Sequence, residues 1–323
     1  MSSTPPTTLD CKLDVTGVSA PSLGSATSIN PQIVSFSGGQ TSGFMLRRLL
    51  DEVGAENMTV IFCNTGKEYD ETLDFVNDVQ TKWNVPVTWL EYCRVNDEHS
   101  WRVVSYKTAA RRMDARTPFD EMLEWGGTLP NVRGRGCSGQ LKVRTMKRYL
   151  LAQGLETWDS YIGIRADESH RTLEILAQCP KYIRPHFPLN DAGVTKHNVN
   201  DWWDIQPFKL NIPNHKGNCD LCFLKAKWKR LSIMRDEPAA AAWWIGWERK
   251  MKARMEAAGK PTGGAMWVDG VSYEELLAES QHPEFDFNEQ DVPCSCAVGG
   301  YRDADDEGQN GSDQATASTK TSA

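Results

Sequence analysis

Two groups of residues in this sequence are typed and spaced for chemistry. The first is Ser37-Gly38-Gly39-Gln40-Thr41-Ser42, between an apolar tetrapeptide and a helix-forming stretch. Two glycines permit backbone angles barred to other residues. The first amides of a helix have no internal partner, and its dipole favours an anion there. With the hydroxyls of Ser37, Thr41 and Ser42 as further donors, such a turn is a phosphate cradle. No Gly-Lys-Ser/Thr follows at Walker spacing, so it is not a Walker loop. The plain alternative is a tight strand-to-helix turn. The second group is cysteine: Cys219-Asp220-Leu221-Cys222 before a Lys/Arg-rich stretch, and Cys294-Ser295-Cys296. Close pairs in a reducing compartment point to metal or redox chemistry, and four thiolates suit an iron–sulfur cluster or a structural zinc. Reduced thiols that bind nothing are the third reading. Farther along, Arg165 and Arg171 flank Glu168 and Ser169 after an apolar run, which suits a phosphate or sulfate or, more plainly, a surface ion-pair patch.

The elements around these residues alternate. Ile33–Phe36 reads as a strand, and Thr41–Val53 as a helix with Phe44, Leu46, Leu49 and Leu50 on one face. Met58–Phe62 is a second strand, Asp70–Trp83 a helix and Val85–Leu90 a third strand. Gly139–Leu151 reads as helix, Ser160–Ile164 as strand, and a helix starts at Asn198. This order predicts an α/β fold with a parallel sheet and helices on both faces. Its open crevice lies at the carboxyl ends of the strands, where the loop at Ser37–Ser42 falls. From Leu221 the composition turns to Trp, Lys, Arg and Ala, and mainly helices are expected. The expected division is a disordered arm over 1–30, a nucleotide-binding domain over 31–213, a helical Cys-x-x-Cys subdomain over 214–300 and a disordered acidic tail over 301–323.

Taken together, these motifs resemble a family. Ser37-Gly38-Gly39-Gln40-Thr41-Ser42 is similar to the pyrophosphate loop of the PP-loop superfamily, the adenine nucleotide α-hydrolase-like enzymes. Within it the resemblance is to phosphoadenosine phosphosulfate (PAPS) reductases and their relatives, including phosphorothioation sulfurtransferase-like proteins. Asn64-Thr65-Gly66 with Glu71-Thr72 resembles the family's Asp-Thr-Gly … Glu-Thr, with Asn64 in place of the acid. Gly163-Ile164-Arg165-Ala166-Asp167-Glu168-Ser169, with Arg171, resembles the segment that meets the substrate's anionic end. Asn200-Asp201-Trp202-Trp203 resembles the helix start after it.

The resemblance implies a Rossmann-like fold and binding of ATP or of PAPS/APS by Ser37–Ser42, Asn64, Thr65, Gly66, Arg165, Glu168, Ser169 and Arg171. Cys137 lies in a stretch similar to the adenylylsulfate-reductase branch. That likeness implies a [4Fe-4S] cluster on Cys137, Cys219, Cys222 and one of Cys294 or Cys296, with structural zinc on the two close pairs as the alternative. Two reactions follow from it. One is sulfonucleotide reduction, for which Cys296 is the candidate nucleophile although its neighbours lack the family's Glu-Cys-Gly-x-His pattern. The other is adenylation by ATP followed by sulfur transfer, with Arg165 stabilising developing charge in either case. A nucleotide-sensing or metal-stabilised interaction module without turnover is the non-enzymatic alternative.

Composition bounds the partners. The 323 residues are 40% hydrophobic and 24% charged, with a formal net charge of −7. That acidity argues against a general duplex-coating protein and leaves a local anion site open. The lysines and arginines after Cys222 (Lys225, Lys227, Lys229, Arg230) would suit a nucleic-acid acceptor. A sulfur-donor or reductant protein and a second copy of the chain are the other partners considered. No apolar run approaches the roughly 20 residues of a spanning helix, and no secretory signal is read, so a cytoplasmic protein is expected.

Overall fold

A computed structural model describes residues 30–282 except Arg133, Asn214 and Asn218. The expected arm before residue 30, the acidic tail, Cys294 and Cys296 lie outside the described residues. Six strands form one sheet: β1 (Gln32–Ser35), β2 (Met58–Asn64), β3 (Val87–Val95), β4 (Glu98–Val104), β5 (Trp158–Ile162) and β6 (Ile183–His186). Their order is β4-β3-β2-β1-β5-β6, parallel throughout except for the β3–β4 hairpin at one edge. The chain is thus an α/β protein built on a mostly parallel sheet. The antiparallel edge strand was not expected. It follows a turn at Asn96 and Asp97, both with positive φ (49° and 64°), which asparagine and aspartate tolerate better than most residues.

Burial on both faces explains the near-continuous apolar runs of the central strands. In β1, Val34 packs into a core with helices α1 (Gln40–Val53) and α2 (Asp70–Lys82), while Ile33 packs into a second core on the opposite face. Met45, Leu46 and Leu49 form the buried face of α1, with Phe44 and Leu50 at its margins. A third core joins Tyr92, Phe119, Leu129 and Leu141 to residues between Leu221 and Leu276. It spans α3 (Pro118–Trp125) and the helices of the C-terminal region. Between them the chain passes through α4 (Gly136–Ser138), a π-helical turn at Gly139–Arg144 and α5 (Thr145–Ala152), which run on as one helical stretch.

Next come α6 (His170–Gln178), α7 (Pro188–Asp191) and α8 (Lys196–Asp204). The C-terminal region is α9 (Lys227–Asp236), α10 (Ala241–Ala257) and α11 (Tyr273–Ser280). No helix among the described residues is long and apolar enough to cross a membrane.

Candidate active site

From β1 the chain crosses to β2 and β3 on one side, and β5 and β6 lie on the other. The carboxyl ends of β1 and β5 therefore flank the point where strand order reverses, the usual ligand crevice of an open α/β sheet. A cleft of about 960 Å³ opens there.

The loop after β1 forms one wall. Gly38 has φ +76°, and a Cβ on it would come within 2.8 Å of Thr72 Cγ2, so the turn is packed against α2. Gly39 is the N-cap of α1, in extended geometry and with no side-chain cap. The Ser37 and Ser42 hydroxyls lie 2.8 Å apart, and Ser42 Oγ donates to the Gly39 carbonyl at 3.0 Å. The first helical bond runs from Gly43 N–H to that same carbonyl at 2.9 Å. The N–H groups of Gln40, Thr41 and Ser42 precede it and have no acceptor within the helix. The loop is thus held in shape by its own hydroxyls, and Gln40, Thr41 and Ser42 line the cleft, where helix-start amides can receive an anion.

The second wall comes from the end of β5. Gly163 brings its backbone against α1, since a Cβ there would lie 3.2 Å from Ser42 Cα. This approach lets Arg165 Nη1 donate to Thr41 Oγ1 at 3.0 Å, across 124 positions of sequence. Glu168 is buried and bridges two guanidiniums, pairing with Arg165 at 3.3 Å and with Arg171 through its other oxygen. It fixes both cations over the cleft. Arg165 also forks onto Asp167 at 3.0 and 3.2 Å. Burial pushes the Asp167 carboxyl up, but its bonds to Arg165 outweigh this and hold it below the usual range. Ser169 turns away from the cleft lining to bond Asn190 Oδ1 at 2.7 Å.

Seven lysines and arginines line the cleft against three acids. Lys142, Lys196, Lys209 and Lys216 were not among the predicted site residues. Lys209 and Lys216 come from a stretch without helical or strand periodicity, so position alone reveals them. Thr72 lines the cleft too, with a buried hydroxyl that has no hydrogen-bond partner within the protein.

Asn64, Thr65 and Gly66 take a different place. They are not among the lining residues, and they build the turn between β2 and α2. Asn64 is fully buried, donates to Glu91 Oε1 at 2.6 Å and accepts from Gly66 N–H at 3.1 Å. Thr65 donates to Glu68 at 2.7 Å. An amide does here what packing demands, tying the end of β2 to β3. Glu71 sits exposed in the first turn of α2, where the dipole favours an acid.

The cysteines are only partly gathered. Thr65 Oγ1 lies 3.6 Å from Cys219 Sγ, and Cys137 and Cys219 both pack at the edge of the third core. Burial, followed by the nearby Glu68 carboxylate, raises the Cys219 thiol well above its ordinary value, and Cys137 adds to the effect. Cys222 is buried. Among the described residues no three His, Cys, Asp or Glu side chains come together as metal ligands would. The described thiols thus do not by themselves form a cluster or zinc site, and Cys294 and Cys296 lie outside them.

The basic stretch after Cys222 is divided: Lys227 is exposed and pairs with Glu279 at 2.6 Å, and the other three cations turn inward. Lys225, Lys229 and Arg230 are buried. Arg230 donates to the Phe223 carbonyl at 2.8 Å and Lys225 to the Gly217 carbonyl, so these two cations hold the Cys-x-x-Cys loop, while Lys229 lines the cleft. The tryptophans Trp243, Trp244 and Trp247 belong to the third core.

This fold with this loop defines a PP-loop type of nucleotide site. Residues 31–178 match the family model of the phosphoadenosine phosphosulfate reductase domain, and the chain belongs to that family. It is 32% identical over 215 residues to the uncharacterized nin region protein ORF290 of Escherichia phage lambda, covering 64% of this chain and 70% of that one. An uncharacterized 37.8 kDa protein in the gpa 5′ region of Escherichia phage 186 is 25% identical over 165 residues, 42% of this chain and 48% of its own length. An uncharacterized protein of Methanocaldococcus jannaschii is 28% identical over 139 residues, 43% of this chain and 24% of its own.

Proposed function

We propose that the chain is an enzyme that binds ATP in this cleft and adenylates an oxygen of an acceptor, ahead of sulfur transfer to it. The acceptor oxygen attacks the α-phosphorus, the bond to the bridging oxygen breaks, and pyrophosphate leaves. A sulfur nucleophile then displaces AMP. The convergence of the Ser37–Ser42 amides and Arg165 on one polycationic cleft carries this reading. Donors fixed in advance stabilise charge that grows on the departing oxygens and need no rearrangement to do so. Arg171 and Lys142 add to the field.

PAPS or APS would bind the same cradle, and sulfonucleotide reduction is the second reading. It needs a thiolate aimed at the sulfur. Cys63 is the one cysteine lining the cleft among the described residues. Burial pushes its thiol up to about 12, so at neutral pH it is protonated and a poor nucleophile. Reduction would therefore rest on Cys296, and adenylation fits the described groups better.

Calorimetric titration of ATP and of PAPS, paired with assays for ATP–pyrophosphate exchange and for sulfite release, tests the assignment. ATP binding with exchange is the expected result. Sulfite release from PAPS without exchange selects the reductase reading. Nucleotide binding with neither product, in protein offered candidate acceptors and reductants, identifies a sensing module.

A further inference from the structure

Behind the phosphate loop lies a buried aromatic cluster, and one of its members is bonded to the loop itself. Trp203, near the end of α8, is fully buried. Its indole Nε1–H donates to the Gln40 carbonyl at 2.8 Å, across 163 positions of sequence. Trp83 stacks on the Trp203 ring at 6.0 Å, while Phe75 at 5.1 Å and Phe208 at 5.9 Å meet it edge to face. Trp202, from the same helix, adds a further edge contact at 4.6 Å. Held from several sides, the indole has no room to swing its N–H away from the loop.

Gly43 lets the ring come this close. A Cβ there would lie 2.9 Å from Trp203 Cζ2 and 3.2 Å from Phe75 Cζ. A glycine inside the first turn of α1 thus admits an indole against the helix backbone.

What the bond can do follows from the peptide it reaches. The Gln40 carbonyl and the Thr41 N–H belong to one planar unit, so an indole that holds the oxygen also sets the direction of the N–H. The first N–H groups of a helix point out of its N-terminal end, and Thr41 lines the cleft there. A hydrogen bond on the carbonyl draws electron density toward the oxygen and makes the N–H of the same unit a stronger donor. A carbonyl has two lone pairs, so the indole bond leaves room for the helical one. From the opposite wall Arg165 holds the Thr41 hydroxyl at 3.0 Å. Thr41 is therefore fixed at its side chain by Arg165 and at its amide by Trp203.

We propose that Trp203 is a positioning residue for the nucleotide's phosphates, acting through the Gln40–Thr41 peptide to aim and polarise one amide of the cradle. This role rests on the reading of Ser37–Ser42 as a phosphate cradle, and it holds for ATP and PAPS alike.

Inorganic pyrophosphate and ATP, each titrated into the full chain by calorimetry, read the cradle. Trp203→Phe keeps an aromatic ring and removes the donor. Affinity for both ligands should fall about three- to tenfold, a part of one charge-assisted hydrogen bond. Gly43→Ala keeps every ring and sets a methyl against Trp203, so affinity should fall in the same direction; it carries the test if Trp203→Phe does not fold. Trp202→Phe alters the neighbouring ring, which packs on Phe44 at 5.1 Å, and leaves the Gln40 bond in place. It should bind as the parent does. Circular dichroism and thermal unfolding establish which variants are folded.

A spectroscopic signature separates positioning from mere support of the core. The Trp203 indole N–H resonance is identified in isotope-labelled protein by its absence from Trp203→Phe or its displacement in Gly43→Ala. It should move to lower field as pyrophosphate is added, saturating with the calorimetric affinity. An anion on Thr41 N–H strengthens the hydrogen bond at the other end of the same peptide.

Parent-like affinity in the folded variants Trp203→Phe and Gly43→Ala would overturn this role, and so would an indole resonance that stays in place while pyrophosphate binds. An equal loss in Trp202→Phe would show that the cluster supports α1 in general, and the assignment to Trp203 would be wrong. A parent that binds neither ligand removes the cradle and the role of Trp203 with it. A parent that binds both, matched by its variants, removes the role and keeps the cradle.

Discussion

A Cβ placed on Gly38 meets Thr72 Cγ2 at 2.8 Å in a backbone with φ +76°, whereas one on Gly39 meets nothing nearer than Ser37 Oγ at 3.6 Å. The two glycines therefore serve different ends, the first allowing the turn to pack and the second leaving the cradle open. Gly38→Ala should cost roughly 1–3 kcal/mol of stability, read by chemical denaturation. Gly39→Val should leave the thermal midpoint within a few degrees of the parent. It should also abolish nucleotide binding in calorimetry, since its side chain would occupy the anion's place. Unchanged binding in folded Gly39→Val would remove the cradle from the mechanism. Arg165→Gln tests the opposite wall. It removes one charge-assisted hydrogen bond to an anion, commonly worth about 1.5–3 kcal/mol, so ATP affinity should fall on the order of 10- to 100-fold.

At the scale of elements, α3 shows what holds the sheet to the C-terminal helices. Thr117 and Asp120 form a capping box at its start. The same Asp120 also accepts the indole N–H groups of Trp243 at 2.7 Å and Trp247 at 2.8 Å, both from α10. Asp120→Ala removes the cap and strands two indole donors. The expected loss is roughly 3–5 kcal/mol, with aromatic fluorescence and far-UV signal moving together on denaturation. Separate transitions would mean that α10 stands without this tie. The sequence made the strand–helix alternation through α2 readable, because burial on both faces of the sheet leaves unbroken apolar runs and helices mark their inner face. The loop and Arg165 stand out by residue type, since glycine, hydroxyl and arginine carry their chemistry openly, and the fold brings them to one cleft. Strand β4 was missed: Glu98, His99 and Ser100 open it with polar residues, although Asn96-Asp97 was a usable turn signal. The cleft lysines at 209 and 216 depend on long-range packing, which no local pattern encodes. The inward turn of Lys225 and Arg230 could not be read either, for a basic run looks alike whether solvated or bonded to buried carbonyls.

Across the whole molecule, the third core draws on residues from both sides of Pro213, so folding of the C-terminal helices and of the β3 side of the sheet is coupled. Glu248 lies inside that core and accepts from Tyr273 N–H at 2.8 Å and Trp267 N–H at 3.3 Å. Burial raises its carboxyl to about 7, against the pull of those two amides. In the unfolded chain the same group titrates near its ordinary value of 4.5. Between these two values the folded state holds a proton that the unfolded state has released, so stability falls as pH rises through this window. The shift corresponds to roughly 3 kcal/mol at most. Denaturant unfolding at about pH 5 and about pH 8 should therefore find the parent less stable at the higher pH by an amount that includes this contribution. In Glu248→Gln the Glu248 contribution disappears, leaving a flatter profile, while the amide forfeits one of the two accepted hydrogen bonds at every pH. A variant whose profile runs parallel to the parent's would show that Glu248 is ionised in the fold at neutral pH, held by the amides of Trp267 and Tyr273 against its burial.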